Sequence, residues 1–278
     1  MLGLGLIGGS LALALRQVGL TKQIAGYDAN LDVTHRAKER GAITHAYTTV
    51  EEAVQQADMV VLATPVLAMH GLLEHIAPLL KPGTLVTDTA STKAQVLEWA
   101  SRLLPPHVVF VGGHPMAGHE YSGIEAAEIG LFEGCTYCLT PLEQTPTGAI
   151  IQLSETVIRL GAHPLVLDAE RHDRLVAGIS HLPFVLSAAL VQMLAKEEDW
   201  PEMARLAASG YRDMSRLAAG NPTMYRDICL TNKQALLSGL DALTVELEHI
   251  RLLIATNDEA LEPYFAQAKQ VRDTTCSS

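Results

Sequence analysis

Four polar stretches hold the residue types that could do chemistry in this chain. The first, Gly112-Gly-His-Pro-Met-Ala-Gly-His-Glu120, follows the apolar run Val108-Val-Phe-Val111. A segment leaving the carboxyl end of a buried strand is where α/β enzymes place reacting groups, and a histidine such as His114 can take or give a proton near neutral pH. On its residues alone, His114 could equally cap a backbone group in a glycine turn. In Asp88-Thr-Ala-Ser-Thr-Lys93, again just past a strand, Ser91 or Thr92 could cap the helix starting near Lys93. A hydroxyl there could instead orient a catalytic histidine or contact a substrate hydroxyl. Ser180-His181-Leu-Pro183 stands at a helix start. Arg212 and Arg216 are four residues apart and share one face of a helix. Facing a cleft, the two guanidiniums would fork onto a dicarboxylate; on a surface they would pair with Asp213 or Glu202.

A glycine turn supplies the second kind of chemistry. The chain opens MLGLGLIGGS, in which Gly3, Gly5 and Gly8 spell G-x-G-x-x-G. A helix follows at once, so the amides around Leu6 and Ile7 and the helix dipole can take a pyrophosphate. Asp28 lies 20 residues after Gly8, at the end of the strand-like run 23–27. A carboxylate there accepts adenosine ribose hydroxyls and repels a 2′-phosphate, which selects NAD over NADP. Thr64-Pro65, just past the apolar run Met59-Val-Val-Leu-Ala63, would lie near the nicotinamide end, although Pro65 could be only a strand terminator. Met1 and Leu2 alone precede Gly3. The first strand is central in such a sheet, so the natural chain is predicted to begin about five to seven residues earlier, a typical strand length.

These residues need a scaffold, and the pattern supplies one. Strand-like runs at 23–27, 59–63, 84–87 and 108–111 alternate with helix-like segments at 9–18, 34–40 and 67–80. Repeated βα units imply a Rossmann-type, doubly wound α/β domain with a parallel sheet. From about Ala169 strand signals vanish and helical segments follow at 171–179, 183–196, 202–219, 224–254 and 258–271. The predicted organisation is a dinucleotide-binding domain over 1–168 and an all-α domain over 169–278.

The 278 residues carry 20 basic and 31 acidic side chains, a formal net charge of −11, with 48% hydrophobic content. Such a surface repels nucleic acid and anionic membrane, while a few arginines can still reverse the field locally for an anionic small molecule. No apolar run reaches the roughly 20 residues needed to span a bilayer, and no basic segment precedes the apolar start, so a cytoplasmic protein is expected. Of four cysteines, Cys135 and Cys138 have C-x-x-C spacing. Three apart on a strand, they point to opposite faces, so no metal site is expected.

Taken together, these stretches resemble the prephenate/arogenate dehydrogenase family of tyrosine biosynthesis. The resemblance covers essentially the whole chain. It rests on Gly3 to Ser10, Asp88 to Lys93, Gly113-His-Pro-Met-Ala-Gly118 with Glu120, Ser180-His-Leu-Pro183, and Tyr211-Arg-Asp with Arg216. It implies NAD-dependent oxidative decarboxylation of prephenate, or of arogenate, with His114 as the base at the ring hydroxyl and Ser91 contacting both. It also implies Arg216 at a substrate carboxylate, Arg212 as a second candidate, Glu120 at the pocket rim and His181 in the pocket. Where several relatives carry a second histidine, this chain has Phe184. The helical domain is expected to form a homodimer with the active site in a cleft between domains. Because the chain stops at Ser278, any feedback by tyrosine is expected at the active site itself. Two other readings fit parts of the pattern: a β-hydroxyacid-type dehydrogenase using Lys233, or an inactive nucleotide-binding relative.

Overall fold

The structure, a computed structural model, describes residues 1–119, 121–257 and 259–275. Chain order begins α1 (Leu6–Gln17), β1 (Ala25–Gly26), α2 (Leu31–Glu39), β2 (His45–Ala46), α3 (Val50–Val54), β3 (Met59–Leu62), α4 (Ala68–Ile76) and β4 (Leu85–Asp88). It continues with α5 (Ala94–Leu103), β5 (Val109–Pro115), β6 (Thr136–Pro141), α6 (Thr147–Arg159) and β7 (His163–Val166). Strands β3, β4 and β5 run parallel, β5 pairs antiparallel with β6, and β6 is parallel to β7. β1 and β2 form a parallel pair of their own.

Leu2 joins the two sheets, bridging Tyr27 on one side and Leu62 on the other. Its amide donates to Val61 O at 2.9 Å and its carbonyl accepts from Ala63 N at 2.7 Å. Gly3 then turns the chain into α1 at φ +89°, a left-handed conformation open to glycine; a Cβ there would also stand 2.4 Å from Ala63 O. Two residues thus do the pairing of a central strand.

Side chains alternate across the sheet as a doubly wound fold requires. Val61, Leu85 and Val111 pack on the side of α1 and α6 with Leu11, Leu15, Leu153 and Val157. Val60, Leu62, Val86 and Phe110 face α4 and α5, with Met69, Leu73, Val96 and Trp99. Both faces are covered, which is why these strands read as continuous apolar runs.

Several elements differ from the sequence expectation. The sheet is mixed, not wholly parallel. β5 does not end at Val111 but continues through His114 to Pro115, because β6 pairs with it as far as Pro115↔Tyr137. The stretch expected as a glycine loop is therefore strand. α6 and β7 follow, in a stretch for which the sequence pattern gave no expectation.

Beyond β7 come α7 (Ala169–Val176) and α8 (Leu182–Leu194), joined by a π-helical turn, Ala177–His181. The join corrects the expectation that no segment reaches membrane-spanning length: 169–194 is one continuous helix, long and apolar enough by length and composition, with a mean hydropathy of 1.7 over an 18-residue window. Its His172, Asp173, His181 and Ser187 are nonetheless buried within the protein. Helices α9 (Trp200–Leu206), α10 (Ser209–Ser215) and α11 (Pro222–Thr231) complete a compact unit, Met1–Lys233. The second unit, Gln234–Ser278, holds α12 (Lys233–Ala255) from its second residue on and α13 (Leu261–Thr275), with His249 set edge-on against Tyr264 at 5.8 Å.

Gly113 is a point of obligatory close approach, since a Cβ there would lie 2.5 Å from Asp88 O and 3.1 Å from the Tyr137 ring. Gly113→Ala is expected to destabilise the fold by about 1–3 kcal/mol through overpacking, measured as a lowered urea midpoint at unchanged slope.

Candidate active site

At the carboxyl ends of β4 and β5 a buried charge cluster fixes the floor of the site. Asp88 accepts from Ala90 N at 2.8 Å and from Gly113 N at 3.1 Å, tying the two strand ends together. Lys93, wholly buried, pairs with Asp88 and donates to Gly113 O at 2.6 Å. A buried ammonium without these partners would be very costly. Burial pulls the Lys93 pKa down and the Asp88 carboxylate opposes that pull.

His114 follows Gly113 directly and retains only slight exposure. Its Nδ1 lies 2.9 Å from His172 Nε2, and His172 Nδ1 lies 2.8 Å from Asp173 Oδ1. Asp173 also receives the amides of Lys93 at 2.7 Å and Ala94 at 2.9 Å. The start of α5 is therefore capped by a side chain 80 residues away, not by Ser91 or Thr92. Thr92 Oγ1 is instead paired with Thr231 Oγ1 at 2.8 Å. Ser91 lies half-buried on the loop after β4, and among the described residues no hydrogen bond joins it to His114.

The π turn brings His181 to the same place. Asp173 and His181 are eight apart and would sit about 80° out of phase on an unbroken α-helix; one extra residue in the turn brings them to within about 20°. Asn232 Nδ2 donates to Asp173 O at 2.8 Å and approaches His181 Nδ1 at 3.1 Å. Since Nδ2 only donates, His181 Nδ1 accepts and Nε2 carries the proton. That Nε2–H is buried and, among the described residues, has no partner. Burial pushes the His181 pKa down to about 4, against the pull of Asp173, so the ring is neutral near pH 7. His114 is likewise held well below 6.5, first by burial, then by His172, Lys93 and His181.

Phe184, where a second polar group was in question, is buried and stacks on Tyr225 at 3.9 Å with rings 3° from parallel. Tyr225 OH donates to Leu217 O at 2.7 Å and Ser187 Oγ accepts from Ala218 N at 2.9 Å. These bonds pin the 3₁₀ turn Arg216–Ala219 that starts with Arg216. The charge of Arg216 acts on Tyr225, partly offsetting the upward push of burial on the phenol. Arg212 lies on α10; both arginines are exposed and, among the described residues, make no ion pair with Asp213 or Glu202. Glu120 lies outside the described residues.

At the other end, α1 opens at Gly5 with no side-chain cap among the described residues, which leaves its first amides to a ligand. A Cβ on Gly5 would project into open space. Asp28 accepts from Leu4 N at 2.9 Å and Asn30 N at 3.0 Å, which still leaves its carboxylate lone pairs for a ligand. Thr64 Oγ1, beside the Gly3 turn, is buried and has no partner among the described residues, and Pro65 O accepts from Ala68 N. An anionic, hydroxyl-rich dinucleotide fits these groups. Cys135 and Cys138 are free, and burial raises both thiol pKa values.

Comparison with known proteins now decides the family. The model for "Prephenate dehydrogenase, nucleotide-binding domain" matches residues 11–166, and that for "Prephenate dehydrogenase, dimerization domain" matches 168–267. The chain belongs to the prephenate dehydrogenase family. It is 39% identical to prephenate dehydrogenase of Bacillus subtilis over 274 residues, covering 98% of this chain and 74% of that one. Among solved structures it resembles Aquifex aeolicus prephenate dehydrogenase in complex with hydroxyphenyl propionate and NAD+, with a TM-score of 0.91, 31% identity and coverage of 98% and 95%. It also resembles Synechocystis arogenate dehydrogenase, with a TM-score of 0.84, 36% identity and 98% of each chain covered.

Within this family site, sequence reasoning missed the roles of Lys93, His172, Asp173 and Asn232. The adjacent His-Asp pair at a helix start was a usable signal, but nothing in the sequence says which strand it meets.

The neutral state of His181 has a consequence for stability. Its folded pKa of about 4 lies below the ordinary 6.5, so the unfolded chain takes up this proton first as pH falls. The contribution is fully present above 6.5 and is lost towards pH 4, amounting to about 3 kcal/mol at most. Urea unfolding at pH 7 and pH 4.5 should show that loss, and His181→Gln should make the pH dependence shallower.

Proposed function

We propose that this chain oxidatively decarboxylates prephenate to 4-hydroxyphenylpyruvate with NAD as oxidant and His114 as the base. The observation that carries the proposal is the state of His114: neutral, anchored through Nδ1, and with Nε2 making no hydrogen bond among the described residues. A base must meet its substrate unprotonated, and this one is kept so by burial.

The amides of Leu6 and Ile7 with Gly3, Gly5 and Gly8 would cradle the pyrophosphate, Asp28 would accept the ribose hydroxyls, and Thr64 with Pro65 would border the nicotinamide. Bound there, NAD supplies a ring that accepts a hydride. Prephenate carries two carboxylates and a ring hydroxyl. His114 Nε2 takes the hydroxyl proton, and Ser91 contacts the same oxygen. Arg216, whose turn is pinned by Ser187 and Tyr225, receives a carboxylate, with Arg212 as the second candidate. The unpartnered His181 Nε2–H gives one further hydrogen bond to the anion. Loss of CO₂ then aromatises the ring, so the protein supplies chiefly orientation, one base and anion recognition.

The nucleotide would bind the 1–168 portion, and 169–278 would build the substrate side and a homodimer. Support for the dimer is the matched dimerization-domain model and the exposed Leu175, Ile179 and Met193 along 169–194. Burying such side chains against a second copy removes apolar surface from water. The similarity to an arogenate dehydrogenase favours a second reading, in which arogenate is the substrate.

NADH formation from prephenate and from arogenate, followed by absorbance, tests the reading; no turnover with either would overturn it. His114→Asn should lower kcat about 10²–10⁴-fold. Because its pKa is depressed, the acid limb of kcat/KM belonging to His114 should fall well below pH 6.5. A limb at or above 6.5, or one surviving in His114→Asn at comparable turnover, would remove His114 as the base.

A further inference from the structure

The buried array His114–His172–Asp173 is a chain of short contacts ending on a carboxylate, and that end constrains the order of its donors. Asp173 Oδ1 already receives Lys93 N, and its second oxygen receives Ala94 N, so this carboxylate acts wholly as an acceptor. His172 Nδ1, 2.8 Å from that oxygen, must then carry a proton and donate it. With Nδ1 holding the one proton of its ring, His172 presents a bare Nε2 to His114. Nδ1 of His114, 2.9 Å away, must be the donor, which leaves the Nε2 lone pair of His114 as the basic site.

We propose that His172 and Asp173 are positioning residues that hold His114 in its Nδ1–H form and accept its Nδ1 proton while its Nε2 holds the substrate proton. This deepens the function proposed above and rests on it. The reason is electrostatic. His114 is faced by the Lys93 ammonium from the β4–α5 loop, by His181 from the π turn, and by the neutral Cys138 and Tyr137 of β6, while Asp88 is engaged with Lys93. A positive charge resting on His114 would sit beside Lys93. Moved to His172, it sits against the Asp173 carboxylate.

The proton balance closes. The substrate O–H breaks and its proton goes to His114 Nε2, while the hydride leaves the ring carbon for the nicotinamide of NAD. The Nδ1 proton of His114 passes to His172 Nε2. When the C–C bond to the departing carboxylate breaks, its electron pair enters the ring and the ring oxygen becomes a phenolate. The phenolate takes back the proton from His114 Nε2, and His172 returns its own to His114 Nδ1. The same logic of base and orienting partner operates wherever a histidine is aligned by a carboxylate, here with one imidazole inserted between them.

The test combines the wild-type protein with two variants. In ¹⁵N-histidine-labelled wild type, long-range ¹H–¹⁵N correlation should show His114 protonated on Nδ1, the signal being identified by its loss in His114→Gln. His172→Gln keeps an oxygen acceptor but cannot take a proton. It should lower kcat on the order of 10²-fold or more at near-constant KM. It should also move the acid limb towards lower pH, because the charge can no longer rest against Asp173, whereas a lesion that merely opened the site to water would relieve the burial of His114 and move the limb up. Asp173→Asn should lower kcat in the same direction. An Nε2–H tautomer at His114, or His172→Gln within about threefold of wild-type kcat, would overturn the inference. Normal wild-type turnover with an Nε2–H tautomer defeats the positioning scheme alone. An Nδ1–H tautomer with no turnover on either substrate defeats the functional reading, and with it the proton return. Should His172→Gln fail to fold, the wild-type tautomer of His114 still decides.

Discussion

The site depends on one carboxylate. Asp173 receives two amides at the start of α5, the His172 ring, and, through its own carbonyl, the Asn232 amide. Three separate elements meet there: the helix after β4, the helix after β7, and the end of α11. Each bond to the ionised group contributes about 1.5–3 kcal/mol, more than a neutral bond. Removing the acceptor would strand helix-end amides in a buried site. The change from α/β to all-helical composition near residue 168 is bridged by this contact, and the compact unit accordingly runs on to Lys233.

A second constraint shapes the floor. The Asp88–Lys93 pair is fully buried and is completed by Gly113 N and Gly113 O, so its charges are saturated by the strand that carries His114. Such a pair is weak evidence for stability, since a well-packed apolar pair of similar size is often as good. What it does here is local: it fixes β5 to β4 beside the base and keeps a positive charge near His114. Burial first, then His172 and this charge, keeps His114 neutral. The site is thus set up to take a proton from a substrate and to disfavour one from water.

Much of this was legible in the residues. The glycine turn with Asp28, the strands at 59–62 and 85–88, and the His114 stretch are local patterns whose period or spacing carries the information. What escaped is tertiary. The extension of β5 through Gly112 and Gly113 depends on β6 pairing from the far side, which no window around His114 contains. The cap of α5 looked like a matter for Ser91 or Thr92, since caps are usually local, yet a distant aspartate supplies it. The phase of His181 could not be read either, because the π turn that rotates it toward Asp173 is a tertiary adjustment within an apolar helix. Phe184, singled out as a departure from the family pattern, proved to be a packing residue against Tyr225.

Amide hydrogen exchange at Lys93 and Ala94 tests the central claim most directly, namely that Asp173 holds the site together across the chain. If it does, these two amides exchange only through global or near-global unfolding, with protection matching the most stable amides of β4 and β5. Exchange at the rate of a frayed, uncapped helix start, while β4 and β5 stay protected, would contradict the account.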